Sequence, residues 1–299
     1  MNGDNHVHVV EVGPRDGLQN EATILAAADK VALVERLAGC GLATVEVTSF
    51  VSPRWVPQLA DADQVLPAVQ RRPGVDYPVL VPNLAGYQRA RAAGADSIAV
   101  FTAASEAFSQ RNTNASIAQT LERFAPVLEQ ARADGVRVRG YVSTVLGCPY
   151  QGEVPVAEVV RVAAALHALG CDQISLGDTI GVGTPGKART MLRNVAAQVP
   201  MAQLAVHFHD TYGQALANVL ACLEEGVRVV DSAVAGSGGC PYAKGASGNL
   251  ASEDLVYLLH GLGLHTGVDL GALADTGHWL STRLGKPNQS RCGRALTAS

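Results

Sequence analysis

The 299-residue sequence predicts an α/β protein of the (β/α)₈, or TIM-barrel, class on three observations. Short apolar or β-branched segments recur eight times along the chain, and most are followed by a stretch of helical periodicity. No proline- or serine-rich linker divides them, so a single barrel domain over 1–299 is expected, ending in a short polar tail from about 285. Acids, bases and metal-type side chains gather where the strands should end, which is where barrels of this class carry their sites. A doubly wound open sheet is the alternative, but no GxGxxG follows the first strand.

Taken in order, strands are expected at 8–12 (HVVEV), 44–48 (TVEVT), 77–81 (YPVLV) and 97–101 (SIAVF). Four more are expected at 136–142 (VRVRGYV), 173–177 (QISLG), 204–208 (LAVHF) and 229–235 (VVDSAVA). Between them, Leu216, Val219, Leu220 and Leu223 keep the i, i+3, i+4, i+7 spacing of one helix face before Gly226 stops the helix. Leu255, Leu258, Leu259 and Leu262 repeat that spacing, with Ser252 placed as an N-cap. Thr184-Pro185 reads as an N-cap followed by proline in the first turn.

Composition narrows the function classes. Apolar residues make up 47% of the chain and charged residues 17%, as in a folded globular protein. The 23 basic and 27 acidic side chains give a net charge of −4, so nucleic acid or an acidic membrane is not an expected partner. The N-terminal MNGDNHVHVVEVG lacks a basic segment and apolar core, and no apolar run is long enough to span a bilayer. Six cysteines occur without CxxC pairing, which predicts neither a disulfide framework nor a zinc ribbon and suggests a reducing, cytoplasmic compartment.

The chemistry concentrates in a few segments. In LAVHFHDTYGQ, His207 and His209 lie two apart, so on a strand both imidazoles project from one face, a natural pair of metal ligands. Strand one leads into EVGPRDGLQNE, strand two carries Glu46, strand six ends in SLGDT with Asp178, and strand eight enters AGSGGCPYAKGASGN. Isolated, each has a plain structural role. Asp16 could cap a helix, Arg15 could pair with Glu46 or Glu11, and the histidines could close a strand. Their gathering at one rim favours function.

These segments, together with VEVTSFVSPRWVPQ, RGYVSTVLGCPYQG, SLGDTIGVGTPG and GGCPYAKGASGNLASEDLVYLLHGLG, resemble the 3-hydroxy-3-methylglutaryl-CoA lyase family nearly end to end. The resemblance implies Asp16, His207, His209 and Asn249 as ligands of a magnesium or manganese ion. It also implies acyl-CoA cleavage to acetyl-CoA and acetoacetate, a place in leucine breakdown, and a homodimer. Arg15 would stabilise the enolate formed on cleavage, and Cys240 would return a proton to it. Cys148, in a second GCPY, is the rival thiol. His207, Asp16 and Glu46 remain open as acceptors of the hydroxyl proton, with Glu46 expected to orient Arg15. Gln19, Tyr141, Ser143 and Thr179 are expected to contact substrate, and Asp178 to support the ligands from behind or to lie at the rim, more than to bind the metal directly.

Where family members carry cysteine, this chain has Phe208, expected to face out of the barrel, and Thr144, expected near the substrate rim. An intermolecular disulfide through Cys292 is conceivable. Three other functions stand as alternatives: a lyase for a longer branched 3-hydroxyglutaryl-CoA, an isopropylmalate-type condensing synthase, and a non-catalytic barrel.

Overall fold

A computed structural model describes residues 5–239 and 248–298. Nine parallel strand segments form one sheet: β1 (His8–Glu11), β2 (Thr44–Val45), β3 (Thr48–Ser49), β4 (Val79–Leu80), β5 (Ser97–Ala103), β6 (Arg137–Ser143), β7 (Gln173–Asp178), β8 (Leu204–Phe208) and β9 (Val229–Ser232). Their order is β2-β1-β9-β8-β7-β6-β5-β4-β3. The two end segments are halves of one strand. Between them Glu46 N–H donates to Glu11 O (2.8 Å) and Val47 N–H to Pro78 O (3.0 Å), so nine segments close eight strand positions into the expected TIM barrel.

The helices are α1 (Ala27–Gly39), α2 (Ala62–Ala68), α3 (Leu84–Ala92), α4 (Glu106–Thr113), α5 (Ile117–Ala133), α6 (Val156–Leu169), α7 (Pro185–Ala196), α8 (Ala215–Glu224), α9 (Ser252–Gly261), α10 (Leu270–Leu284) and α11 (Arg291–Thr297). Among the described residues, none is long and apolar enough to cross a membrane. The main core lies between barrel and helices, where alternate strand residues such as Val138, Val142, Ile174, Leu176, Leu204, Val206 and Phe208 pack. Phe208 thus points out of the barrel, as expected. Inside the barrel the apolar side chains among the described residues form two small groups, one around Val10, Val12 and Ala233 and one around Leu80, Ala99 and Tyr141. Much of the remaining interior is polar.

Several local expectations change. The eighth strand stops at Ser232 instead of 235, and Ala235 takes a left-handed conformation (φ 60°). Two buried carboxylates cause this by capturing backbone N–H groups. Glu11 Oε1 accepts from Gly13 (2.7 Å) and Val234 (2.9 Å), and Glu253 accepts from Ala235 (2.9 Å). Ser252 is the first residue of α9, not its cap, because its hydroxyl donates to Glu11 Oε2 (2.6 Å). On α8 the buried face runs through Ala215, Val219 and Cys222, leaving Leu220 36% exposed; on α9 Leu262 is 45% exposed. Thr184 and Pro185 open α7 as expected, without a side-chain capping bond. The expected tail contains α11, whose N-terminus is held by Asp254 accepting from Ser290 Oγ (2.7 Å) and Cys292 N–H (2.7 Å).

Burial pushes Glu11 up to about 7 and Glu253 up to about 8, against an ordinary 4.5. A carboxyl that holds its proton more tightly when folded contributes fully below pH 4.5, and that contribution is lost as pH rises through 7 for Glu11 and 8 for Glu253. The melting temperature should therefore fall between pH 5 and 8. Glu11→Gln, whose amide can accept the two N–H bonds and donate to Ser252, should flatten part of that slope, by on the order of 1–3 kcal/mol. Calorimetric melts across this range check it; an unchanged slope in Glu11→Gln would show that Glu11 is not titrating there.

Candidate active site

After β1 the chain makes a single π-helical turn, Gly13–Gly17, with Asp16 N–H donating to Val12 O at 2.7 Å and Gly17 N–H at 3.1 Å. Pro14 enters the turn where its missing N–H costs nothing. Such turns often mark functional positions. This one aims Arg15 and Asp16 over the barrel mouth. The Arg15 guanidinium is buried, with Nε and Nη2 both 2.8 Å from Glu46 Oε2 and Nη1 2.6 Å from Asp16 Oδ1. Its carbon lies 5.2 Å from the Tyr141 ring centre.

Across the mouth, β8 carries His207 and ends at Phe208 before the chain runs on to His209, with Ala205, His207 and His209 alternating with the outward Val206 and Phe208. Both Nε2 atoms come to 3.9 Å from Asp16 Oδ2. Asn249, bridged to His209, donates from Nδ2 to the same oxygen at 2.9 Å. The backbone around them is tight. A side chain on Gly181 (φ +66°) would strike His209 O and Thr211 N at 2.8 Å, and one on Gly248 would strike Gly238 O at 2.5 Å.

Asp16, His207 and His209 present donor atoms within 4.8 Å of one another, an arrangement that could hold a metal ion. Their chemistry fits one. Burial alone would raise Asp16, but Arg15 and the two histidines more than offset it and keep the carboxylate ionised. Burial and the neighbouring His207 push His209 down to about 4, so it is a neutral imidazole at neutral pH. Asn249 turns Nδ2 toward Asp16 Oδ2 and leaves Oδ1 buried without a hydrogen-bond partner among the described residues; a flip of the amide would present that oxygen to a cation. A carboxylate, two imidazoles and an amide oxygen suit a divalent ion with positions left for substrate.

Gln19, Tyr141, Ser143 and Thr179 line the same cavity, of about 570 Å³, as Arg15, Asp16, His207 and His209. Glu46 does not line it. It is fully buried behind Arg15, with Oε2 also accepting from Tyr141 Oη (3.1 Å). Asp178 is likewise buried, away from the rim and behind the ligands: its carbonyl accepts from His209 N–H at 3.3 Å and its carboxylate from Gly183 N–H at 2.7 Å, shaping the loop after β7. Thr144 is buried in a left-handed conformation, not at the substrate rim. The Cys148 thiol is buried, accepts from Ser105 Oγ at 3.0 Å and does not line the cavity. Cys240 lies outside the described residues.

Two residues of this interior escaped the sequence reading. Asp231 on β9 receives Arg139 Nη2 (2.6 Å), Ser175 Oγ (2.8 Å) and the Nδ1 side of His207 (3.2 Å). The signal was a carboxylate inside the otherwise apolar VVDSAVA and an arginine at an alternating position of VRVRGYV.

Fold and site together define a TIM-barrel protein with a polar, metal-suited cavity at the C-terminal ends of its strands. Residues 6–279 match the HMGL-like family, and the chain belongs to it. It is 58% identical over 298 residues to a Pseudomonas aeruginosa protein named 3-hydroxy-3-isohexenylglutaryl-CoA/hydroxy-methylglutaryl-CoA lyase, covering 100% of this chain and 99% of that one. The crystal structure of hydroxymethylglutaryl-CoA lyase from the same organism superposes with a TM-score of 0.97 at 58% identity, covering 100% and 99% of the two chains. An HMG-CoA lyase from Acinetobacter baumannii, solved with coenzyme A and 3-methylmalate, gives 0.94 at 35% identity, covering 100% and 97%.

The donor set makes a direct demand on binding. Titration calorimetry with Mn²⁺ should show one site per chain, and His209→Ala should weaken it by at least ~10–100-fold, the scale of losing even an indirect supporter of a metal site. Near-wild-type affinity in that variant would remove His209 from the ligand set.

Proposed function

We propose that this chain is a divalent-metal-dependent carbon–carbon lyase that cleaves 3-hydroxy-3-methylglutaryl-CoA to acetyl-CoA and acetoacetate. The observation that carries this reading is the convergence of Asp16, His207 and His209 beside the Arg15 guanidinium in one cavity. The 58%-identical relative named for such a lyase and the coenzyme A complex of a 35%-identical one support the substrate class. A magnesium or manganese ion held by Asp16, His207, His209 and Asn249 would make the substrate's tertiary hydroxyl more acidic.

The chain's own groups do the rest. The hydroxyl proton leaves for an acceptor facing the cavity, which leaves Asp16, since Glu46 is sealed behind Arg15 and His207 is engaged by Asp231 at Nδ1 and would hold the ion through Nε2. The oxygen becomes the ketone of acetoacetate, the C2–C3 bond breaks, and its electron pair moves to the thioester enolate. Arg15 donates from Nε to Glu46 and from Nη1 to Asp16, and its other N–H groups remain for that oxygen. Glu46 acts as a positioning residue by locking the guanidinium. Cys240, by resemblance, returns the proton to the enolate carbon. Gln19, Tyr141, Ser143 and Thr179 are assigned to substrate contact because they line the cavity.

A lyase for a longer 3-alkyl branch is the second reading. The relative's double name favours it, as does an apolar cavity wall at Leu80 and Phe101. A cytoplasmic homodimer working in leucine breakdown belongs to the same proposal. The unpaired Cys40, Cys148, Cys171, Cys222 and Cys292 accord with a reducing compartment. Exposed Leu220 and Tyr257 on the contacting helices α8 and α9, with Leu262 just past the end of α9, are side chains a dimer could cover.

Incubation with each acyl-CoA and Mg²⁺, with products identified by mass spectrometry, separates these readings. Acetyl-CoA plus acetoacetate supports the first, acetyl-CoA plus a longer 3-oxo acid supports the second, and no cleavage of either defeats both. Chelation should abolish turnover. Charge on the enolate oxygen grows during cleavage, so Arg15→Gln should lower kcat by at least ~10²–10³-fold with a much smaller change in KM. Arg15→Lys should rescue little, because an ammonium lacks the planar donor fork. Activity loss that instead tracks loss of metal or of circular dichroism would make Arg15 structural.

A further inference from the structure

Asp231 belongs to neither the ligand set nor the cavity lining, yet it is buried at the centre of the barrel. His207 and Asp231 are register partners on β8 and β9, so both side chains project inward from adjacent, hydrogen-bonded positions. Asp231 Oδ2 meets His207 Nδ1 at 3.2 Å and Ser175 Oγ at 2.8 Å, while Oδ1 receives Arg139 Nη2 at 2.6 Å. A carboxylate paired with arginine at that distance can only accept. The hydrogen between Asp231 and His207 must therefore lie on Nδ1. That leaves Nε2 as the nitrogen that faces Asp16 Oδ2, 3.9 Å away.

His209 has no such support. Its Nδ1 is buried without a hydrogen-bond partner among the described residues, and its place is fixed through the backbone, by N–H to Asp178 O at 3.3 Å. The two histidines are thus held by different means. One is set by a side chain that selects its tautomer, the other by the strand's continuation.

We propose that Asp231 is a positioning residue for the metal site: it fixes His207 as the Nδ1–H tautomer and presents Nε2 as a ligand, while Arg139 and Ser175 hold the carboxylate in place. The assignment rests on the reading that His207 holds a divalent ion. Ligating histidines commonly depend on a carboxylate in this way, and its loss typically costs 10–100-fold in metal affinity. Asparagine fills the same space but can turn an N–H toward Nδ1, which favours the other tautomer and places a hydrogen on Nε2.

Removing Asp231 alone strands the Arg139 charge in the barrel, so a folding defect could imitate a binding defect. The double variant Arg139→Gln/Asp231→Asn removes both charges together and separates the two. Mn²⁺ affinity by titration calorimetry, melting temperature, and the nitrogen shifts of ¹⁵N-histidine-labelled metal-free protein are the readouts. Wild type should bind Mn²⁺ and show His207 protonated on Nδ1. Asp231→Asn and the double variant should bind roughly 10–100-fold more weakly, and the double variant should recover most of any lost melting temperature. Ser175→Ala, which keeps the carboxylate, should bind within about threefold of wild type, well short of the loss expected for a missing carboxylate.

A folded double variant with near-wild-type affinity overturns the inference. So does a wild-type His207 that carries its hydrogen on Nε2 and none on Nδ1, a result that needs no variant to fold. Wild type that binds no Mn²⁺ defeats the metal reading itself, which distinguishes that failure from this one.

Discussion

A ring of charged side chains, buried except for the half-buried Asp16 and linked through the Tyr141 hydroxyl, is the constraint on which the site depends. It runs from Asp16 to Arg15, through Glu46 and the Tyr141 hydroxyl to Arg139, and on through Asp231 to His207, which closes back toward Asp16. Most barrels of this class fill that space with layers of branched apolar side chains. Here the apolar layers shrink to two small groups, and charge takes the middle. A charge taken out of water without a partner costs several kcal/mol, so each member makes its neighbours obligatory. The gain is fixed geometry, since the members are anchored on strands or on a hydrogen-bonded turn.

Two arginines and three carboxylates leave the ring one negative charge in excess. Asp16, its one carboxylate facing the cavity, carries that excess beside two histidines, one of them held neutral by burial and its neighbour. A divalent cation held there would balance that charge. The same accounting explains why Glu46 makes a poor acceptor for a substrate proton: its Oε2 already receives Arg15 and Tyr141, and protein covers it entirely. It steadies the guanidinium and leaves the chemistry to groups that reach the cavity.

How much of this could be read in the sequence follows from how local each signal is. Strand periodicity and the missing linker were enough for the barrel, and the i, i+2 spacing was enough to put His207 and His209 on one face. Arg15 and Asp16 were visible because a strand end precedes them. Asp231 and Arg139 were not, because their meaning lies in which strands are neighbours and in what register, and one chain's spacing does not state that. The end of β9 was hidden for a similar reason. Glu11 and Glu253, far apart in sequence, take the N–H groups that would have continued the strand. Leu220 and Leu262 fit the helical period yet face outward, since periodicity defines a face without saying how wide its cover is.

The barrel also separates the chemistry from the choice of acyl chain. The proposed ligands come from the ends of β1 and β8 and the segment before α9, while Leu80 and Phe101 come from β4 and β5, on the other side of the sheet order. Of these two, Phe101 is only partly buried, and it packs on the Leu80, Ala99 and Tyr141 group. Tyr141 is the one member of that wall that also belongs to the charged ring, through its hydroxyl to Glu46 and from Arg139. Exchanging Leu80 or Phe101 for a smaller apolar residue would change the room for a 3-alkyl branch and leave every ionic contact in the ring intact. Altering Tyr141 would do both at once. A protein built this way can change its acyl preference without disturbing carbon–carbon cleavage, so a relative named for two acyl groups is consistent with one catalytic ring serving both.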